Sequence, residues 1–326
     1  MKTVPGLLLI PAALALASAP AFAQTMISAK SGMIHYVEGK VLLDGKAVEP
    51  KFGQFPQIKE NGVLRTEAGR AEVLLSPGVV LRLSENGGLR LITDRLIDTR
   101  LELLSGSILV ECGEILKGNA ITIAYKDAAV SVREDGLYRI DTEPAELRVY
   151  GGRAVVESAG QVLTVKGGRT LTLDGTLIAG KFDSKLGDSL FRWSKRRADT
   201  IAMANLSSAK TLRDSDTAWR YSNWVWNPYF GLFTFIPHRG IWSSPYGCRY
   251  YSPREVYIVY YQPVRPAMTG WDSTPRYNSN LGYSTISQTP SGSSGTMASS
   301  APPTTASGSQ SAPIARESGS AGGRGR

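Results

Sequence analysis

The feature that most constrains the fold is a pattern repeated between residues 24 and 180, where short alternating segments are separated by glycine turns. Within each segment apolar and polar residues alternate, which is typical of half-buried β-strands. The turns contain Asp44-Gly45, Pro77-Gly78, Gly151-Gly152 and Asp174-Gly175. Glycine adopts the positive φ that tight hairpin turns require. The sequence therefore predicts a mainly β domain over residues 24–180, built as a sandwich, a barrel or a coiled β-helix or β-roll.

Residues 181–212 change to a helical period, because apolar residues recur every three or four positions. We expect an amphipathic helix here, with Asp183 or Asp188 as its N-cap. The basic cluster Lys195-Arg196-Arg197 lies inside it and has two interpretations. It is either a solvated helix face or a site that binds an acidic envelope surface electrostatically.

The remainder of the chain divides by composition. Residues 213–283 are rich in Trp, Tyr, Pro and Gly, whereas residues 284–326 consist mainly of Ser, Thr, Pro, Gly and Ala. A segment of the second kind buries too little apolar surface to offset its ordering entropy, so we predict a disordered tail. The net charge of +9 is also divided: residues 24–180 hold 19 basic and 20 acidic side chains, and residues 181–326 hold 17 and 8.

The first residues predict export from the cytoplasm. Lys2 precedes a short apolar stretch, and Ala21-Phe22-Ala23 ends it, which is the order of a secretory signal peptide cleaved after residue 23. The alternative is an uncleaved N-terminal anchor, although the apolar stretch is short for a membrane span. We therefore expect a periplasmic or secreted protein without a transmembrane segment after cleavage, and a nucleic-acid partner is not expected.

No arrangement of residues predicts catalysis or a cofactor. The sequence holds no nucleophile elbow, zinc-protease motif, phosphate-binding loop or dinucleotide fingerprint, and its only histidines are His35 and His238. Two carboxylate pairs, Asp94 with Asp98 and Glu134 with Asp135, could in principle hydrolyse sugars. Arginines surround them, so surface charge pairing is the simpler interpretation. We expect a non-enzymatic protein with no metal and no cofactor.

The two cysteines, Cys112 and Cys248, leave an alternative open. An even pair in an oxidising compartment can form a disulfide. Cys112 also continues an apolar strand, where an unpaired thiol is commonly buried.

The aromatic region, residues 213–283, allows two roles for its rings. Trp224, Trp226, Tyr229 and Trp242 lie beside Pro and Gly, and such rings can form flat platforms on which sugars stack. The alternative is that the aromatic side chains form the core of a small domain or pack over the β-region.

One stretch is similar to a known family. Residues 61–83, NGVLRTEAGRAEVLLSPGVVLRL, resemble the core motif of FecR-type domains, in which two strands are joined by a glycine turn. The downstream pieces LSGS (104–107), GLYRI (136–140) and VYGGRA (149–154) look like later strands of that domain. WNPYF (226–230) and FIP (235–237) look like the C-terminal part of secreted bacterial FecR-domain proteins of unknown function.

The resemblance implies an extracytoplasmic β-helical or β-roll module, as in regulators that pass a signal from an outer-membrane receptor to an anti-sigma segment. Those regulators carry a cytoplasmic segment and a membrane span, whereas this chain begins with a predicted signal peptide. Only the binding or scaffolding part of the role is therefore expected here. The sequence predicts an envelope protein that binds a protein partner or forms a scaffold, with glycan or cell-wall binding through the aromatic region as the alternative.

Overall fold

A computed structural model of the chain describes residues 30–115, 119–184, 187–215 and 218–260. The predicted signal peptide (1–23) and tail (284–326) lie outside the described residues.

Within the described residues, the β-region contains fifteen strands. They are β1 (Met33–Leu43), β2 (Lys46–Ala47), β3 (Val63–Ser76), β4 (Val79–Leu83), β5 (Gly88–Arg95), β6 (Asp98–Ser105), β7 (Ser107–Cys112), β8 (Ile121–Tyr125), β9 (Ala128–Val132), β10 (Gly136–Thr142), β11 (Ala145–Gly151), β12 (Arg153–Ser158), β13 (Gln161–Lys166), β14 (Arg169–Thr172) and β15 (Ala179–Lys181).

These strands form a single sheet that folds over on itself. Its order is β13-β12-β9-β8-β6-β5-β3-β4-β7-β10-β11-β14-β15, with β1 paired to β3 and β2 to β1. The neighbouring strands run antiparallel except β6 and β8, which are parallel. The long strand β3 joins the two halves, because its first residues pair with β5 and its last with β4.

The two halves meet again at a pair of glycine turns. The Gly167 amide donates to the Gly152 carbonyl at 3.0 Å, and the Gly168 amide donates to the Val149 carbonyl at 2.7 Å. Gly152 has a φ of +83°, and a Cβ there would collide with the Tyr138 hydroxyl. The turn therefore requires glycine for both its backbone angle and its space.

Apolar side chains that face inward from both halves form one core. Its members include Leu64, Val73, Leu81, Leu89, Leu101, Ile108, Val110, Ile123, Val130, Ile140, Leu147 and Val156. They occupy alternate strand positions, which the sequence pattern predicted. The mainly β fold is therefore confirmed.

A long helix, α1 (Ser189–Asp214), follows the sheet. The Asp188 carboxylate accepts from the Phe191 amide at 2.9 Å and caps its first turn, so Asp188 is the N-cap. Apolar residues of the helix pack on the outer face of β3, β4, β7 and β10, and the contacting side chains include Leu74, Val80, Leu109, Leu137, Leu190, Trp193, Ala198 and Ile201. No helix in the described part of the chain is long and apolar enough to cross a membrane.

Two small hairpins and a short helix complete the described fold: β16 (Asn223–Asn227) with β17 (Leu232–Ile236), β18 (Ile241–Ser243) with β19 (Arg249–Tyr251), and α2 (Tyr257–Tyr260). Asn205 of α1 ties them together, since its side-chain amide donates to the carbonyls of Phe235 (2.9 Å) and Tyr251 (3.0 Å). We call residues 187–215 and 218–260 the cap. The cap forms a layer over one outer face of the sheet.

Candidate functional site

Charged side chains are buried between the sheet and the cap. The buried charge network consists of His35 on β1, Glu72 on β3, Arg82 on β4, Glu111 on β7 and Arg197 on α1. Glu72 lies at its centre, where it accepts from His35 Nδ1 (2.9 Å), Arg82 Nε (2.8 Å) and Arg197 Nη2 (2.8 Å). Arg82 Nη1 also donates to Glu111 at 2.7 Å. The network therefore joins four neighbouring strands to the helix above them.

Burial and charge pairing together set the protonation states. Burial by itself raises the pKa of Glu72, but the nearby Arg197 and Arg82 outweigh it and hold that pKa well below 4.5. Burial lowers the pKa of His35 from 6.5. The Phe233 amide donates to His35 Nε2 at 2.9 Å, so the imidazole is neutral and carries its proton on Nδ1. With two carboxylates and two guanidinium groups, the network is neutral overall.

The basic cluster on α1 is divided between solvent and this network. Lys195 and Arg196 are exposed, which agrees with a solvated helix face. The side chain of Arg197 is only 12% exposed, and its guanidinium carbon lies 3.9 Å from the ring centroid of Tyr36. The interpretation as a wholly solvated face is therefore wrong for Arg197, because it pairs with the buried Glu72.

At one edge of the cap, aromatic rings reach the surface. We define the aromatic patch as Phe52, Phe55, Trp226, Tyr229 and Phe230. The Trp226 ring lies 5.8 Å from Phe52 and 5.5 Å from Phe55, both edge to face. Tyr229 contacts Phe230 at 5.3 Å. Phe52 and Tyr229 are 77% and 86% exposed, so the patch presents two rings to solvent.

The turn that carries Tyr229 is held rigidly. Asn227 accepts from the amides of Tyr229 and Phe230, each at 3.0 Å, which fixes the turn between β16 and β17. The same side chain donates to the Ala204 carbonyl (3.1 Å) and to Ser208 Oγ (3.0 Å) on α1. The exposed ring of Tyr229 therefore projects from a turn that is anchored to the helix.

The buried charge network and the aromatic patch are in contact through His35 and β17. His35 lies 5.7 Å from the ring of Phe55 and accepts from the Phe233 amide. Phe233 packs against Trp226 at 5.5 Å. A change in the network should therefore alter the packing of the rings at the base of the patch.

The four aromatic residues predicted to stack on sugars have different environments. Trp224 is only 3% exposed and donates from its indole to the Ser76 carbonyl at 2.9 Å, so its assignment as a ligand platform is wrong. Trp242 packs over Gly113 and lies 5.1 Å from Tyr250. Trp226 is partly buried at the base of the patch, and Tyr229 is exposed. Most of the aromatic cluster is thus core between sheet and helix, the alternative that the sequence left open.

Phe52 was missed by the sequence analysis. It lies in the turn after β2, far along the chain from Trp226, and a single exposed phenylalanine gives no signal in the sequence. Its ring covers Gly231, where a Cβ would collide with it. Only the fold brings the two turns together.

The two cysteines do not form a disulfide. Both are buried free thiols. Cys112 faces the core between the two halves of the sheet, whereas Cys248 belongs to the cap and packs between the cap and the sheet. Because Glu111 faces the cap, its neighbour Cys112 points to the opposite side of the strand. Of the two alternatives that the sequence left open, the structure thus has the buried unpaired thiols. Burial raises the pKa of both thiols, that of Cys248 to about 12.

Three of the four carboxylates considered for hydrolysis form an ion pair with a basic side chain. Asp94 contacts Lys30 (2.9 Å), Asp98 contacts Arg100 (2.9 Å) and Glu134 contacts Arg153 (2.6 Å). Across the residues that the structure describes, no group of three or more His, Cys, Asp or Glu side chains is arranged to hold a metal ion.

Comparison with known proteins gives a weak structural likeness. No protein-family model matches the chain, and a search among curated proteins found no similar sequence. Two crystal structures of a Parabacteroides distasonis protein, described as a "putative anti-sigma factor", are similar to part of it, with TM-scores of 0.33. Their sequences are 16% and 15% identical to this chain over 37% of its length. The match spans 59% of that protein's chain.

Proposed function

We propose that this protein is a non-enzymatic, extracytoplasmic protein of the cell envelope that binds a protein partner or acts as a scaffold on a FecR-like domain. The observation that carries the proposal is the aromatic patch, with two highly exposed rings, Phe52 and Tyr229, of which Tyr229 lies on a turn anchored to α1. The sequence resemblance to FecR-type domains and the predicted signal peptide support the compartment.

Large apolar side chains that remain exposed side by side often mark an interaction surface, and aromatic residues dominate the energetics of such surfaces. Because Asn227 already fixes the Tyr229 turn, binding there requires little further loss of conformational entropy. The patch thus has the composition and rigidity of a binding surface.

The charged groups support a binding role rather than catalysis. Glu72 is fully buried beneath the cap and accepts from three cationic or imidazole groups, so it has no access to a substrate. Glu111 is likewise paired with Arg82 and accepts from the Ser244 hydroxyl. These groups hold the cap to the sheet.

A capture experiment tests the proposal. The mature chain and a Phe52→Ser/Tyr229→Ser variant would be immobilised and exposed to envelope extract. A matched control, Ile97→Ser/Met203→Ser, removes two other exposed apolar side chains that are 56% and 57% exposed. We expect a partner that binds the wild type and the control but not the patch variant. Equal recovery with all three proteins would show that the patch does not bind it.

Glycan binding is the second candidate, and the exposure of Tyr229 and of Phe52, whose ring lies against Gly231 of the Tyr229 turn, favours it. Exposed rings stack on the apolar faces of sugars as well as on protein side chains. Purified peptidoglycan treated with protease would be sedimented with the same three proteins. Sedimentation of the wild type and control, without the patch variant, would assign the patch to a glycan. Capture that disappears when the extract is protease-treated would assign it to a protein.

Export is tested separately by cell fractionation and by the mass of the mature chain. We expect recovery outside the cytoplasm with Gln24 as the first residue. Recovery of the full-length chain in the cytoplasm would contradict the proposed compartment.

A further inference from the structure

Among the residues that the structure describes, no strand pairs with the outer side of one edge strand of the large sheet. β13 (Gln161–Lys166) lies at one end of the strand order, and among the described strands it pairs with β12 alone. The backbone groups on its other side are therefore open to another strand. An open strand edge is a template for pairing with a further chain.

The other edges of the sheet carry protective features. β1 pairs with β3 along one side and meets β2 only at Leu42 and Leu43, but it contains two register shifts and the charged residues Glu38 and Lys40. β15 at the opposite end has three residues, and β2 has two. Shortness is one of the devices by which proteins prevent pairing at an edge, and charges, prolines and bulges are others. β13 has six residues, contains no proline or acidic residue, and pairs with β12 without a register shift. Its single charge, Lys166, lies at its end.

Each face of β13 carries apolar side chains. Val165 is buried in the core and Leu163 on the same face is 37% exposed. Val162, on the opposite face, is 64% exposed. Val162 and Leu163 thus leave apolar surface at the sheet edge that the described chain does not cover.

We propose that β13 pairs antiparallel with β13 of a second copy, so that the half-sheet ending at β13 continues across a two-fold axis. Directly opposite residues in an antiparallel pair point to the same face of the sheet. In a two-fold dimer whose axis is normal to the sheet, the axis must therefore pass between one residue and the same residue of the other copy. An axis at Leu163 sets Leu163 against its own copy and Val162 against Thr164. Lys166 then falls opposite Gly160 of the partner copy, so no like charges oppose each other.

The sequence of β13 favours pairing with β13 of a second copy. An axis one residue along, at Thr164, would set the Lys166 ammonium directly against Val162. The register through Leu163 instead sets Leu163 against its own copy, Val162 against Thr164 and Val165 against Gln161, so the Lys166 ammonium does not lie against an apolar side chain. Self-pairing also gives a closed two-fold dimer rather than an open fibre. This inference is independent of the aromatic patch and of the partner proposed above.

The oligomeric state of the mature chain tests the proposal. We expect a concentration-dependent dimer by sedimentation velocity and light scattering. Val162→Lys/Thr164→Lys places lysines directly opposite each other at two symmetric positions, and should weaken dimerisation by about tenfold or more. Ile97→Lys/Met203→Lys adds the same charge at exposed sites away from β13 and should leave the dimer intact. A monomeric wild type, or equal effects of the two variants, would overturn the proposal.

Cysteine crosslinking tests the register. Residues directly opposite in an antiparallel pair can be close enough for a disulfide. Leu163→Cys should therefore form a covalent dimer on mild oxidation, whereas Val162→Cys should form much less, although position 162 is the more exposed. Cys112 and Cys248 are buried and do not compete. More crosslinking at 162 than at 163 would indicate random collision and refute the register.

Discussion

The buried charge network makes a quantitative prediction about stability, centred on Glu72→Gln. This substitution keeps the size of the side chain and removes its charge. The matched control is Glu67→Gln on the same strand, where the carboxylate is 49% exposed and pairs with Lys40 at 2.9 Å. Both variants lose one carboxylate from β3 that is in an ion pair.

The magnitude follows from what remains after the change. The Glu72 carboxylate is completely buried and accepts from His35, Arg82 and Arg197. Glutamine offers only one acceptor oxygen, so Arg82 keeps Glu111 but loses its second partner, and Arg197 is left nearly buried without a counter-charge. Breaking a buried pair in this way costs about 3–5 kcal/mol. An exposed pair such as Lys40–Glu67 contributes at most about 1 kcal/mol.

Urea unfolding at neutral pH measures the difference. We expect Glu72→Gln to lower the free energy of unfolding by about 3–5 kcal/mol, which for a domain of this size lowers the Tm by roughly 6–20 °C. Glu67→Gln should be close to the wild type. If the two variants lost equal stability, the network would contribute no more than a surface pair, and the reasoning from burial would be refuted.

Three further predictions follow from the same layer. His35 is neutral when folded because burial lowers its pKa, so the unfolded chain binds its proton first and stability falls as the pH drops below 6.5. A His35→Asn variant should lose this slope in urea midpoints measured on either side of that pH. Trp224→Ala should destabilise the fold by about 3–5 kcal/mol in thermal unfolding, whereas Tyr229→Ala should leave it unchanged. Cys112 and Cys248 should resist a thiol reagent in the native protein and both react in denaturant; a native chain that reacts at once would contradict their burial.

The strand pattern of the β-region could be predicted from the sequence because it depends on local physics. Alternating side chains need one apolar face, and turns such as Gly151-Gly152 need a residue that tolerates positive φ. The helix was predictable for the same reason, since its apolar period and the Asp188 cap are both encoded within a few residues. These features required no knowledge of what the segments contact.

The location of the charges could not be predicted in this way. Glu72, Arg82 and Glu111 are charged residues within strands, and a charged position in a strand usually indicates contact with solvent. The cap covers the face that they share, so the same positions are buried. Arg197 then supplies the charge that balances Glu72, although it comes from the segment that carries the basic excess. Apolar residues such as Leu74, Val80 and Leu109 share that face, but the local pattern does not show which segment covers it.

The sequence by itself determined the mainly β class, the position of the helix and the residues that could carry aromatic contacts. Only the tertiary structure decided which aromatic rings are core and which are surface, because Trp224 and Tyr229 belong to the same hairpin and differ only in what packs on them. It also brought Phe52 to Trp226 and placed the two cysteines on opposite faces of the sheet. Burial and proximity between distant segments depend on the packing of the whole chain. The periodic spacing of apolar residues, in contrast, can be read within each short segment.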